Sequence, residues 1–244
     1  MRLERKNTLS LVLLLTLIFL SIQFPFAQTK SSKPPVVVRK PGVPAKEVGP
    51  LQPKIDLRYF YPNGQAKEKG DSVNGKREGY WYQFDPSGKI TQRVKYTKGQ
   101  LDGDIVNYFD NGHPSDSAVY INKKKDGGYV AYFTNGKPKI KGNYVNGVED
   151  GEFNYYFYNG TVFRTIHYLN GKVNDEYTEN YENGKTRIKC SYLNGRRDGD
   201  FMGYFPNGQE WVTGKYLNGK KIGIWSTFLE NGKIAQKKTY KIEK

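Results

Sequence analysis

The sequence predicts an all-β fold, an elongated single-layer antiparallel β-meander of about eight hairpin repeats of 24 residues each. Three observations predict it. Glycine recurs every 24 residues from Gly64 through Gly88, Gly112, Gly136, Gly160, Gly184 and Gly208 to Gly232, with no insertion or deletion. Tyrosine keeps the same step from Tyr96 to Tyr240. The runs between them are short, aromatic and β-rich, and none has helical periodicity. A fixed period of this size marks a repeat array, in which each unit packs on its neighbours and no central core is needed. Composition agrees: 36% hydrophobic is low for a globule, whereas 20 Tyr, 13 Phe and 27 Gly suit a thin sheet striped with aromatics.

The chain opens on a short basic segment, Met1–Lys6, followed by the uncharged apolar run Leu9–Leu20. That order is the pattern of a secretory signal peptide ending near Ala27, so residues 1–27 are expected to direct export to the periplasm, cell surface or medium. The alternative is an uncleaved anchor, because Thr8–Phe26 is free of charge and about 20 apolar residues span a bilayer. No cysteine lies near the apolar run, which excludes a lipoprotein anchor. Residues 28–54 are rich in Pro and Lys and nearly devoid of aromatics, the composition of a disordered tether. The array is expected over residues 55–244.

Each unit carries two turn signals. The first is Asn-Gly at Asn63, Asn111, Asn135, Asn159, Asn183, Asn207 and Asn231, with Ser87-Gly88 as the variant. Read as a two-residue loop with both positions at positive φ, it sets a register. Trp81 then faces Val94, and Gly79 faces Tyr96. The second is Asn74-Gly75, Lys98-Gly99, Asn146-Gly147, Asn170-Gly171, Asn194-Gly195 and Asn218-Gly219. In this register a large column (Trp81, Ile105, Tyr129, Phe153, Tyr177, Phe201, Trp225) faces a mostly small one (Val94, Ala118, Gly142, Ile166, Cys190, Gly214, Lys238). A glycine column (79, 103, 127, 151, 199, 223) faces the tyrosines, each ring expected over its glycine. The opposite face carries a second aromatic column, from Phe60 and Phe84 to Phe228, beside Arg93, Lys141 and Lys189.

The unit Gly79-x-Trp81-x-x-Phe84-x-x-x-Gly88-Lys89…Tyr96-x-x-Gly99, repeated at Gly151-x-Phe153…Tyr168-x-x-Gly171 and Gly223-x-Trp225…Tyr240, resembles the MORN (membrane occupation and recognition nexus) repeat in its bacterial variant form. The resemblance covers about residues 57–244 and implies an elongated meander used for protein association or membrane-proximal scaffolding. Bacterial variant-repeat proteins are also labelled antitoxin-like components. These units lack the further Gly-x-Gly of ordinary family repeats.

The chemistry of enzymes is missing. His113 and His167 fall in different units, Cys190 stands alone in the small column, and no glycine pair precedes a helix. Asp102, Asp126, Asp150 and Asp198 recur as a column, but calcium needs six to eight converging oxygens, so Asp-Gly is read as a turn former. No catalytic residue, metal or cofactor is expected. The formal net charge of +15 favours anionic partners. The expected function is therefore an exported, non-enzymatic scaffold that binds a protein partner or an anionic envelope or membrane surface. The contact residues are expected among Trp81, Tyr129, Phe153, Tyr177, Phe201, Trp225, Arg93, Lys141, Lys189, Arg196, Arg197, Lys220 and Lys221. A cell-wall or glycan-binding module is the alternative, since Gly79–Gly88 is similar to choline- and glucan-binding repeats. Nucleic acid suits the charge but conflicts with export.

Overall fold

The computed structural model describes residues 54–241, within one compact unit, Pro50–Lys244. The expected leader and nearly all of the expected tether lie outside the described residues. Those described form a single open antiparallel sheet in which each strand pairs with the next, save that the two pieces of one divided strand both lie along the same neighbour: β1 (Ile55–Phe60), β2 (Ala66–Val73), β3 (Lys76–Phe84), β4 (Ile90–Thr97), and so on to β16 (Lys220–Phe228) and β17 (Ile234–Tyr240). Sixteen strands are expected from eight hairpins. Seventeen appear because one is divided into β9 (Val148–Glu149) and β10 (Gly151–Tyr156), on either side of Asp150.

The register matches expectation along the strands. Trp81 pairs with Val94, Phe153 with Ile166, Phe201 with Gly214 and Trp225 with Lys238, while Gly79 pairs with Tyr96 and Gly223 with Tyr240. The turns differ from expectation, and they exchange roles. The Asn-Gly of the first turn is not a two-residue loop, because its asparagines do not have positive φ and only the glycine does (Gly64, +82°). The Gly64 N–H donates to the Tyr61 carbonyl at 2.9 Å, and the Tyr61 N–H donates to the Gln65 carbonyl at 2.8 Å. This is a type I turn closed by a left-handed glycine, with Pro62, Pro86 and Pro206 at the position where φ near −65° is wanted. The ladder shifts by one residue beside it, between Tyr59 and Phe60 and again between Gln83 and Phe84. The second turn is the two-residue loop with both positions left-handed, as at Asn170 (+51°) and Gly171 (+75°), closed by the pair Leu169 and Lys172.

The glycine column also has a different reason from the one expected. A Cβ on Gly79, Gly151 or Gly223 would meet nothing within 4 Å, so no ring lies over those positions. They are glycine because φ is positive there (+72°, +77° and +64°). Each marks a bulge: between the pairs Val94–Ile105 and Tyr96–Leu101, the single residue Lys95 faces Asp102, Gly103 and Asp104. The same bulge at Asp150 and Gly151 divides β9 from β10. The rings instead cover glycines of the small column. A Cβ would stand 2.5 Å from the Trp81 ring at Gly70, 2.3 Å from Phe153 at Gly142 and 2.2 Å from Trp225 at Gly214.

The core is accordingly a stripe mainly on one face, with Val106 buried on the other. Large-column and tyrosine rings alternate edge to face, with centroids 5.6 Å apart for Tyr144 and Phe153, 5.1 Å for Phe153 and Tyr168, and 5.0 Å for Tyr216 and Trp225. Val94, Ala118, Ile166 and Cys190 fill the gaps and are buried. Toward the first turns the same face becomes polar in the middle of the array. There the buried Glu179 carboxylate accepts from Arg187 and from the Tyr177 hydroxyl, with Arg164 at 3.4 Å. Burial alone would push Glu179 up, but those donors hold its carboxyl below the usual glutamate range.

Candidate functional site

The structure divides the expected contact residues into three groups. Trp81 and Phe153 are each 2% exposed, and Phe201 and Trp225 are also buried, so these rings form the core stripe and offer no contact surface. Burial in a one-layer sheet is possible because cations close over them. The Arg77 guanidinium lies 4.1 Å from the Trp81 ring, the Lys221 ammonium 4.0 Å from Trp225, and Arg197 5.3 Å from Phe201. The indole N–H groups are satisfied too, Trp81 by the Asp71 carbonyl at 2.9 Å and Trp225 by the Lys215 carbonyl at 3.2 Å. Tyr129 and Tyr177 are half-buried in the same stripe. Arg197 further donates to the Tyr192 and Tyr216 hydroxyls at 3.1 and 3.3 Å.

On the opposite face, Arg93 is paired with Asp104 at 2.5 Å, Lys189 with Glu176 at 3.0 Å, and Lys141 rests 6.0 Å over Tyr156. Much of the positive charge expected on this face is thus met by neighbouring carboxylates. Arg196 and Lys220 occupy a third setting, the strand ends beside the second turns. Pairing with Leu193 and Leu217 puts them on the face away from the aromatic stripe, because side chains alternate and Tyr192–Arg197 and Tyr216–Lys221 take the other side.

This edge is a candidate contact region that the aromatic reading missed. From Ile121 onward its rungs are Ile121–Lys124, Val145–Val148, Leu169–Lys172, Leu193–Arg196 and Leu217–Lys220, one aliphatic pair and four pairs of an aliphatic with a cation. The aliphatics are open to solvent, from Val145 at 40% to Leu193 at 54%. Rungs recur every second strand, about 10 Å apart at the usual strand spacing, so five cover about 40 Å. A groove of about 570 Å³ lies at the last rung, lined by Arg196, Leu217, Lys220 and Lys241. The sequence signal was present: an aliphatic residue stands just before Asn74, Asn146, Asn170, Asn194 and Asn218, and a basic one follows each of these Asn-Gly pairs except Asn146-Gly147.

The turns of this edge are tied to one another through the backbone. The Gly147, Gly171, Gly195 and Gly219 N–H groups donate to carbonyls of the preceding unit, those of Lys125, Glu149, Val173 and Arg197, at 2.7 to 2.8 Å. The Asp column completes the tie: Asp126, Asp150 and Asp198 accept from the N–H groups of Asn146, Asn170 and Asn218 at 3.4, 3.4 and 2.8 Å. Asp-Gly is therefore not itself a turn. It lies at the bulges, and its carboxylate caps the turn of the next unit. Among the described residues, no group of three or more His, Cys, Asp and Glu side chains is placed to hold a metal. His113 lies in a first turn, and His167 lies in a strand with its Nδ1 3.1 Å from the Glu176 carbonyl. Burial pushes the Cys190 thiol up, away from the thiolate that nucleophilic chemistry needs.

Comparison with known proteins adds one finding. Residues 77–98, 125–146, 176–194 and 221–241 match the family model described as MORN repeat variant. No curated protein matches the chain.

Proposed function

The chain belongs to the MORN repeat variant family, and from that premise we propose that it is an exported, non-enzymatic scaffold that docks on an anionic envelope or membrane surface through its second-turn edge. One observation carries the reading: four rungs of that edge pair a solvent-exposed aliphatic side chain with a cation. An apolar group that enters the headgroup boundary and a cation that meets phosphate on the same line suit a flat anionic surface. A repeat array supplies many weak rungs at fixed spacing, so affinity grows with the number engaged. The glycan-binding alternative relies on exposed rings, and Trp81 and Trp225 are covered.

Co-sedimentation of the full chain with phosphatidylglycerol vesicles tests this. Binding is expected to anionic but not to pure phosphatidylcholine vesicles, to weaken with salt, and to fall in the triple variant Lys172→Gln/Arg196→Gln/Lys220→Gln with its β-sheet circular dichroism unchanged. Equal recovery on both vesicle types, or no recovery on either, would overturn it. Capture of an envelope protein by a chain that ignores vesicles would move the reading to a protein partner.

A further inference from the structure

Twelve Asn-Gly pairs recur in this chain, and the two turns hold their asparagine side chains in opposite ways. In the first turn the side-chain oxygen accepts the N–H two residues on, in Asn111 from His113 at 3.0 Å, in Asn135 from Lys137 at 3.0 Å and in Asn159 from Thr161 at 2.8 Å. The side-chain nitrogen donates to a carbonyl of the next unit, from Asn63 to Pro86 and from Asn111 to Thr134, both at 3.0 Å. Asn207 and Asn231 keep the first bond, to Gln209 and Lys233. In the second turn, among the described residues, the exposed amide groups of Asn74, Asn146, Asn170 and Asn194 make no hydrogen bond. Asn218 is the exception, its oxygen accepting from Arg196 at 2.9 Å.

We infer that the second-turn edge is a site of spontaneous deamidation, led by Asn74, Asn146, Asn170 and Asn194, and that the first-turn stitches protect the other asparagines. The step is intramolecular. Hydroxide removes the proton of the glycine amide, whose nitrogen attacks the asparagine Cγ, and the Cγ–Nδ2 bond breaks with loss of ammonia. Water then opens the resulting succinimide at either carbonyl, leaving aspartate or isoaspartate. Glycine lacks a side chain to obstruct ring closure, and its N–H donates to a carbonyl in both turns, from Gly112 to Phe109 at 2.9 Å and from Gly171 to Glu149 at 2.8 Å, so pinning of the asparagine amide sets the order. Conversion at Asn170 or Asn194 places a carboxylate in the turn that Lys172 or Arg196 flanks, and each conversion lowers the positive charge of this edge without altering any core residue.

Peptide mapping by mass spectrometry of the intact folded chain, held in mildly alkaline buffer, reads the order directly. A retained hydrogen bond is expected to slow conversion by about five-fold, so Asn170 and Asn194 should lead Asn207 and Asn231, with Asn63 and Asn111 slowest. In Arg196→Ala, Asn218 should speed up about five-fold, with Asn111 unchanged. In denaturant the order should collapse. Equal rates in the folded chain, an unmoved Asn218 in the variant, or the same order in denaturant would each overturn the inference.

Discussion

The two edges of the ribbon carry nearly the same dipeptide and are built by opposite means. At the first-turn edge the side chains make the stitch: Asn111 reaches the next unit, the Tyr61 and Tyr181 hydroxyls reach the Phe84 and Tyr204 carbonyls at 2.8 and 2.7 Å, and Lys137 and Lys185 reach the Asn159 and Asn207 carbonyls. At the second-turn edge the backbone makes most of it, glycine N–H to carbonyl, with Asp126, Asp150 and Asp198 capping the next turn. An edge stitched by side chains has spent them. An edge stitched mainly by backbone leaves its leucines open to solvent, and so the candidate contact surface lies on one side only.

Substitutions can sharpen or break this contrast. The largest effect is expected in the strip between the edges, which sets the scale: Gly214→Ala drives a methyl into the Trp225 ring and should cost about 3 kcal/mol in urea unfolding. Next comes one replacement made on both edges. Asn111→Gly keeps backbone freedom but loses both stitches, and should cost about 1.5 kcal/mol. Asn170→Gly supplies the same left-handed φ and should cost less than about 0.5 kcal/mol. Equal losses at the two sites would erase the distinction. Asn111→Asp retains the acceptor and loses only the donor, so about half the Asn111→Gly loss is expected.

The smallest effect is confined to acid. The Glu179 carboxyl is depressed in the folded chain, so the unfolded chain binds more protons as pH falls. Its contribution is complete above the ordinary glutamate range, about 4.3, and is lost as pH falls through the depressed value. Glu179→Gln should flatten that acid limb of a Tm-against-pH curve. An unchanged limb would show that other carboxylates govern it.

The strand register was legible because large against small recurs twice in every unit, and a one-residue slip would have destroyed the match at Trp81–Val94 and Gly79–Tyr96 together. The exchange of turn types was less plain, although Pro62, Pro86 and Pro206 announced it: proline suits the second position of a type I turn and not a left-handed one. The burial of Trp81 and Trp225 was hidden for another reason. It depends on Arg77 and Lys221, four residues earlier along the same strands, folding over the rings; alternation puts these cations on the rings' face, but nothing in the pattern shows that they close over them. The stitches between units were illegible, since they join residues 20 to 23 positions apart with no pattern that a single strand displays.

The 24-residue step has a consequence for how such a chain changes length. Every tie runs from one unit to an equivalent place in the next, so excising a whole unit would leave each surviving donor opposite a homologous acceptor. Loss of a single residue would instead put every partner downstream of the gap out of phase. Span is therefore quantised: reach can be tuned by duplication or deletion of whole modules, with no new interface to be invented.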